Sequence, residues 1–272
     1  MFGEDPALYS IIALYVGVGL VAGFMGGLLG IGGGLITVPV IFSMMQAHGY
    51  GSPWGIHIAV GTSLAIIVFV GSASAWAHHK RGAVDLAFLK QVWWVVAVGA
   101  LLGSQLAQSL RSHVLIYSFA GFAGLLAVKM FVPAHLLHMR SHLPKRGWAY
   151  PGPFAIGLFS ALVGIGGGSL TVPYMTACSV DVRRAVATAS VLGVVISVAG
   201  GAGVMLGGLS VTGLPEYSLG YVHLPSLAVL APSAVLAAPL GAKAAHTIPQ
   251  PLLRVVFGLF LIVAVWRLVS AA

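Results

Sequence analysis

Apolar residues run along this chain in long blocks rather than in alternation. Residues 9–29, 56–77, 86–107, 114–132, 185–206, 224–245 and 252–269 each approach or exceed the roughly 20 residues a helix needs to cross hydrocarbon. Polar clusters separate the blocks. They are residues 46–55, the basic turn His78-His79-Lys80-Arg81, residues 111–113, the link 133–150, the turn Asp181-Val182-Arg183-Arg184 and the Gly-rich neutral loop 207–223. Three further apolar stretches, 35–45, 154–163 and 169–177, are only about ten residues long, about 15 Å of helix, and reach half way across. The pattern predicts an all-α polytopic membrane protein.

The short stretches adjoin a duplicated signal. Gly30-Ile31-Gly32-Gly33-Gly34 returns as Gly164-Ile165-Gly166-Gly167-Gly168. Its flanks Gly23, Leu28, Thr37, Val38 and Pro39 return as Gly157, Leu162, Thr171, Val172 and Pro173. Farther on, Ala59-Val60-Gly61-Thr62 resembles Ala185-Val186-Ala187-Thr188, Gly103 aligns with Gly241, Phe119 with Phe257 and Lys129 with Arg267. A self-similarity of about 130 residues divides the chain into a first transmembrane repeat, 1–133, a basic cytoplasmic linker, 134–150, and a second transmembrane repeat, 151–272.

Two topologies fit. If each Gly-broken segment is a discontinuous but complete crossing, there are eight crossings and parallel halves. The basic pair Arg183-Arg184 then lies opposite Arg140, Lys145 and Arg146. If each is a re-entrant hairpin, three crossings remain per half and the halves are inverted. The clusters at 80–81, 140–146, 183–184 and 243 then share one side, with Glu4, Asp5 and Glu216 on the other. The positive-inside rule favours the hairpin arrangement, and inverted repeats built on interrupted helices are a recurring transporter plan. Against it, residues 9–29 are long enough to span.

Composition agrees with a membrane protein. Only 7% of residues are charged against 59% hydrophobic, and soluble domains carry about 25% charged residues. The net charge of +8 does not imply nucleic acid, because the basic residues are scattered at block ends, where they set topology. The single Cys178 has no disulfide partner and no metal-ligand spacing, and reads as a small packed residue. Glu4 and Asp5 precede the first block without a basic residue, so that block is expected to be retained rather than cleaved.

The candidate chemistry centres on the two glycine runs. Three consecutive glycines interrupt a helix, permit positive φ and leave amides uncovered. In hydrocarbon such backbone survives only where it is buried or lines a cavity. The helices restarting at Leu35 and Ser169 would aim free N–H groups and positive dipole ends at the breaks, which together suit an anion. Candidate binding residues are Gly32, Gly33, Gly34 and Thr37 in the first half, with Gly166, Gly167, Gly168, Ser169 and Thr171 in the second. Thr62, Ser63, Thr188 and Ser190 join them as small hydroxyls inside spans. Each of these last four either donates to substrate or bonds its own preceding turn. Gly23, Gly27, Gly99, Gly103 and Gly121 read as helix-packing positions. No Asp or Glu lies inside a span, which argues for an anionic or neutral substrate and against an acidic relay.

The remaining side chains are blander. His78, His79, His135, His138, His142 and His246 read as solvated interfacial groups, without metal-ligand spacing in a span. Trp54, Trp76, Trp93, Trp94, Trp148 and Trp266 read as interfacial belt anchors. Lys243 either snorkels or attracts anions at a vestibule. No nucleophile–base or metal constellation sits at membrane depth, so an intramembrane enzyme is disfavoured and no cofactor or metal is called for.

The duplicated Gly-x-Gly-Gly-Gly followed by Thr-Val-Pro, with Ala-Val-Gly-Thr-Ser downstream, resembles the sulfite exporter TauE/SafE family, also known as the toluene sulfonate uptake permease family. The resemblance covers both halves. It implies a multi-pass transporter of the bacterial-type plasma (inner) membrane that moves sulfur-containing anions such as sulfite, sulfoacetate or related organosulfonates. Its partners are then a small anionic substrate and membrane lipid, with no nucleic acid, and a homo-oligomer is compatible with the sequence. Export by a carrier is the leading expectation; a channel or an importer with the same site is the alternative. One departure is Ala187-Thr188-Ala189, where the first half has Gly61-Thr62-Ser63. A hydroxyl is missing there or displaced to Ser190, so the two half-sites are not equivalent.

Overall fold

A computed structural model describes residues 6–29, 32–47, 49, 53–131, 150–244 and 250–270. The linker up to residue 149, Gly30 and Ile31, Trp148, and the histidines His135, His138, His142 and His246 lie outside the described residues. The first half holds α1 (Pro6–Leu29), α2 (Gly34–Ala47), α3 (Gly55–Lys80), α4 (Leu86–Ser109) and α5 (Ser112–Phe131). The second holds α6 (Pro151–Val163), α7 (Gly168–Ala177), α8 (Val182–Gly208), α9 (Leu224–Ala244) and α10 (Gln250–Ser270). Among the described residues α3, α4, α8 and α9 are long and apolar enough to cross a membrane. Both glycine runs coincide with interruptions, between α1 and α2 and between α6 and α7.

Three local differences from the sequence expectation have simple causes. The cluster Asp181-Val182-Arg183-Arg184 is not a free turn, because Asp181 caps α8. Its carboxylate accepts the N–H of Arg183 at 2.9 Å and of Arg184 at 3.3 Å, drawing both arginines into the first helical turn. The neutral loop 207–223 contains a small antiparallel hairpin, β1 (Ser218–Leu219) with β2 (Val222–His223). Trp54 is not a lipid-facing anchor: its ring lies 5.5 Å from that of His57 and 5.7 Å from that of Tyr221. His57 is itself buried, its Nε2 lying 3.1 Å from the Leu110 carbonyl oxygen. Trp76, Trp93, Trp94 and Trp266 are exposed, as belt residues are.

The halves interlock by exchange. α1 packs along α9, and α4 along α6, so each half lends its first helix to the other. Glycines make this close approach. A Cβ at Gly23 would meet the Ala234 carbonyl oxygen, and one at its counterpart Gly157 would meet that of Val96. A Cβ at Gly241 would meet the carbonyl oxygen of Phe24, and one at its counterpart Gly103 would meet that of Leu158. Gly27 and Gly99 pack in the same way, against Ala238 and Phe154. Gly121 does not: a Cβ there would meet nothing within 4 Å, so it is no packing position within the described residues.

The equivalent helices α3 and α8 pack against each other in opposite directions. Leu64 meets Gly200, Gly71 meets Val194, and Ser74 meets Ser190, so one number rises as the other falls. The two ends of this pair are closed in matching fashion. At one end the Thr188 hydroxyl accepts the Asp85 N–H at 2.8 Å; at the other the Thr62 hydroxyl accepts the His223 N–H at 2.9 Å. Asp85 and His223 are the residues that immediately precede α4 and α9. Each threonine thus supplies an acceptor to the start of a helix in the other half, where N–H groups have no helical partner.

Candidate functional site

The second break is a turn that only glycine makes without strain. Gly164 has φ +73°, and it returns two donors to α6: its own N–H to the Ala161 carbonyl at 3.3 Å and that of Ile165 to Ser160 at 2.9 Å. α7 then starts at Gly168, with the Thr171 N–H donated to the Gly167 carbonyl at 2.8 Å. In the first break Gly32 and Gly33 have φ +68° and +80°, and the Gly33 carbonyl accepts from Ile36 and Thr37. The amides of Gly166, Gly167 and Gly168 have no acceptor among the described residues, nor do those of Gly33 and Gly34. They lie at two helix starts, where the helix itself supplies no acceptor.

The two breaks touch. A Cβ at Gly34 would fall 2.6 Å from the Gly164 carbonyl oxygen and 2.9 Å from the Ile165 Cα. Ser63 of α3 donates to the same Gly164 carbonyl at 2.8 Å, and its hydroxyl is 2.8 Å from that of Thr37. Thr37, Ser63 and the Gly164 carbonyl form a buried tie that joins α2, α3 and the second break. Each link contributes about 0.5–1.5 kcal/mol, and an orphaned partner would forfeit about 1–3 kcal/mol.

Beside this tie lies a small cleft. Gly26 and Gly32 border it from the first half's broken segment, and Gly166 and Gly167 from the second's. α3 contributes Ile67, Gly71 and Ser74, and α8 contributes Ala189, Ser190 and Gly193. Among the described residues Ser74 and Ser190 are its only polar side chains, with their hydroxyls 3.3 Å apart. No Asp or Glu occurs in any of the ten helices. No Lys, Arg or His borders the cleft among the described residues, so its donors are neutral: backbone amides, hydroxyls and the positive ends of α2 and α7.

The sequence-derived candidates are distributed around this geometry. Gly32, Gly166, Gly167 and Ser190 border the cleft. Gly33, Gly34 and Gly168 provide the adjoining amides, and Ser169 turns its hydroxyl to the Gly166 carbonyl at 3.3 Å. Thr37 and Ser63 form the tie. Thr171 is buried with an unpaired hydroxyl. Thr62 and Thr188 are one step removed, each engaged at an end of the α3–α8 pair, and Thr188 also donates to the Arg184 carbonyl at 2.8 Å. Near it the Arg184 Nε is 3.2 Å from the Asp85 carboxylate, with Asp85 buried and the arginine side chain exposed. Sequence reasoning missed Ser74, and also Ser160 and Ser197, two more buried hydroxyls without partners.

Comparison with known proteins agrees with this architecture. Residues 15–268 match the family model described as Sulfite exporter TauE/SafE. The chain is 30% identical over 256 residues to a probable membrane transporter protein of Haemophilus influenzae, covering 94% of this chain and 97% of the relative. It is 29% identical over 274 residues to a probable membrane transporter protein of Methanocaldococcus jannaschii, covering 93% and 96%. No solved structure matches the chain. A polytopic helical chain built on two touching glycine breaks, matched along nearly its whole length, belongs to the sulfite exporter TauE/SafE family of membrane transporters.

Proposed function

We propose that this protein is a secondary transporter that exports small sulfur-containing anions, such as sulfite, sulfoacetate or related organosulfonates, across a bacterial-type inner membrane. The observation that carries the reading is the meeting of Gly34 with Gly164, which brings together two sets of amides that have no acceptor among the described residues, in a chain whose helices contain no carboxylate. The anion sits between the breaks and leaves on one side or the other as the halves move.

Inverted repeats with re-entrant hairpins fit this function. The opposed directions of the equivalent helices α3 and α8 support inversion. Support for a hairpin comes from Gly152 at the start of α6, where a Cβ would fall 2.6 Å from the Tyr174 ring of α7. The end marked by the Asp85–Arg184 contact also carries Lys80, Arg81 and Arg183, whereas Glu216 accompanies the Thr62–His223 end. By the positive-inside rule the basic end, with the linker 134–150, is cytoplasmic.

An interior-negative potential assists expulsion of an anion by about 2.3 kcal/mol per charge per 100 mV. The test is efflux of sulfite and sulfoacetate from liposomes holding the purified protein, with the potential clamped by a potassium gradient. Saturable efflux that accelerates when the interior is negative is expected. Unsaturable flux at channel rates would replace the carrier by a channel. If a cation moves and neither anion does, the reading is wrong.

A further inference from the structure

Most described hydroxyls inside these helices have a hydrogen-bond partner, either across the fold or in their own preceding turn. Ser43, Ser72, Ser118, Ser190 and Ser233 each donate to the carbonyl four residues earlier, the usual arrangement for serine in a membrane helix. Ser160, Thr171 and Ser197 do not. All three have 0% exposure and no hydrogen-bond partner.

None of the three borders the cleft itself; each lies on a helix, α6, α7 or α8, that flanks the second break. Ser160 is in the last turn of α6, and its carbonyl receives the Ile165 N–H of the break. Thr171 is in the first turn of α7, where helical side chains lean back toward the helix start. Ser197 shares a face of α8 with Gly193, which lies against Gly167, and with Gly200, which lies against Ala161.

The internal repeat shows that this is an asymmetry. The counterparts of Ser160 and Ser197 are Gly26 and Gly71, which border the cleft beside Gly32 and carry no hydroxyl. The counterpart of Thr171 is Thr37, whose hydroxyl is engaged by Ser63. At the position of Ser63 the second half has Ala189, whose side chain borders the cleft. In one half these positions lack a hydroxyl or have it engaged; in the other, three hydroxyls have no partner among the described residues.

We propose that Ser160, Thr171 and Ser197, with the amides of Gly166 to Gly168, are the oxyanion-binding half of the site and select three-oxygen sulfite or sulfonate groups over two-oxygen carboxylates. This rests on the anion-transport reading above. A carboxylate leaves a buried donor unmatched, and a site built to hydrogen-bond a group discriminates strongly against an analogue that lacks it. The first half's Thr37 and Ser63 hold the frame.

The test measures methanesulfonate and acetate binding to the purified full-length protein, together with thermal stability in the absence of either. Wild type is expected to prefer methanesulfonate. Ser160→Ala, Thr171→Val and Ser197→Ala are each expected to weaken methanesulfonate binding about 10-fold and to narrow its margin over acetate. Their unliganded Tm stays level or rises, because each removes a buried unpaired hydroxyl. Ser63→Ala lowers the unliganded Tm, because it breaks the tie. If the three variants bind methanesulfonate as wild type does, the selectivity assignment is wrong while anion transport stands. If wild type binds neither methanesulfonate nor sulfite, the transport reading fails and the assignment fails with it.

Discussion

Gly34→Ala is expected to lower anion efflux roughly 10- to 100-fold while leaving a folded protein, a penalty of about 1.5–3 kcal/mol at the site. The added Cβ would lie 2.6 Å from the Gly164 carbonyl oxygen, 2.9 Å from the Ile165 Cα and 3.0 Å from the Ile67 Cδ1. Ile67 can rotate away, but the other two atoms are backbone. The second break must shift, and the amides of Gly166 to Gly168 shift with it. Alanine favours a helix interior over glycine by about 1 kcal/mol, so helix propensity alone would make the variant more stable, and sterics has to win for efflux to fall. Gly17→Ala is the control, since a Cβ at that position of α1 meets nothing within 4 Å. Efflux from liposomes at matched protein incorporation checks both variants, and equal efflux from the two would refute the contact.

Gly103→Val and Gly241→Val are expected to have the largest effect on stability, about 3 kcal/mol or more each. Both positions place a Cβ against a carbonyl oxygen of the opposite half, Leu158 for Gly103 and Phe24 for Gly241. Because the two contacts correspond under the repeat, the losses should be similar. That similarity distinguishes exchange packing from two unrelated tight spots. Gly121→Val, at a position with open space, should stay within about 1 kcal/mol of wild type. Thermal unfolding in detergent, followed by loss of monodisperse protein, measures all three. A large loss at one of positions 103 and 241 with none at the other would refute the correspondence.

The interruptions and the apolar spans were legible in the sequence because each has a local cause. Runs of glycine end α1 and α6, and apolar blocks near 20 residues became α3, α4, α8 and α9 with ends shifted by a few residues. The shift at α8 comes from Asp181, a capping residue whose effect on Arg183 and Arg184 a turn assignment overlooks. Pairings across the fold were not legible. Thr62 and Thr188 looked equally suited to substrate or to their own helix, yet both meet an N–H at the start of a helix in the other half, 161 and 103 residues away. Nothing near either threonine encodes that partner.

Ser160 and Ser197 were hidden for a different reason. A single serine in an apolar helix has the same sequence signature whether it bonds its own turn or faces a site. The signal that separates them was present in the repeat: glycine at 26 and 71 where serine stands at 160 and 197. The Ser63-to-Ala189 difference was visible in the sequence, but its consequence, an engaged Thr37 and an unpartnered Thr171, depends on the packing of α2 on α3 and of α7 on α8.

The most direct test of the central claim is a structure of the protein with bound selenite, a heavier analogue of sulfite that can be located by its anomalous scattering. A peak between the two breaks, within hydrogen-bond distance of the Gly166, Gly167 and Gly168 amides, is the expected result. Selenite bound only at the basic end near Arg81, Arg183 and Arg184, with none between the breaks, would contradict the account.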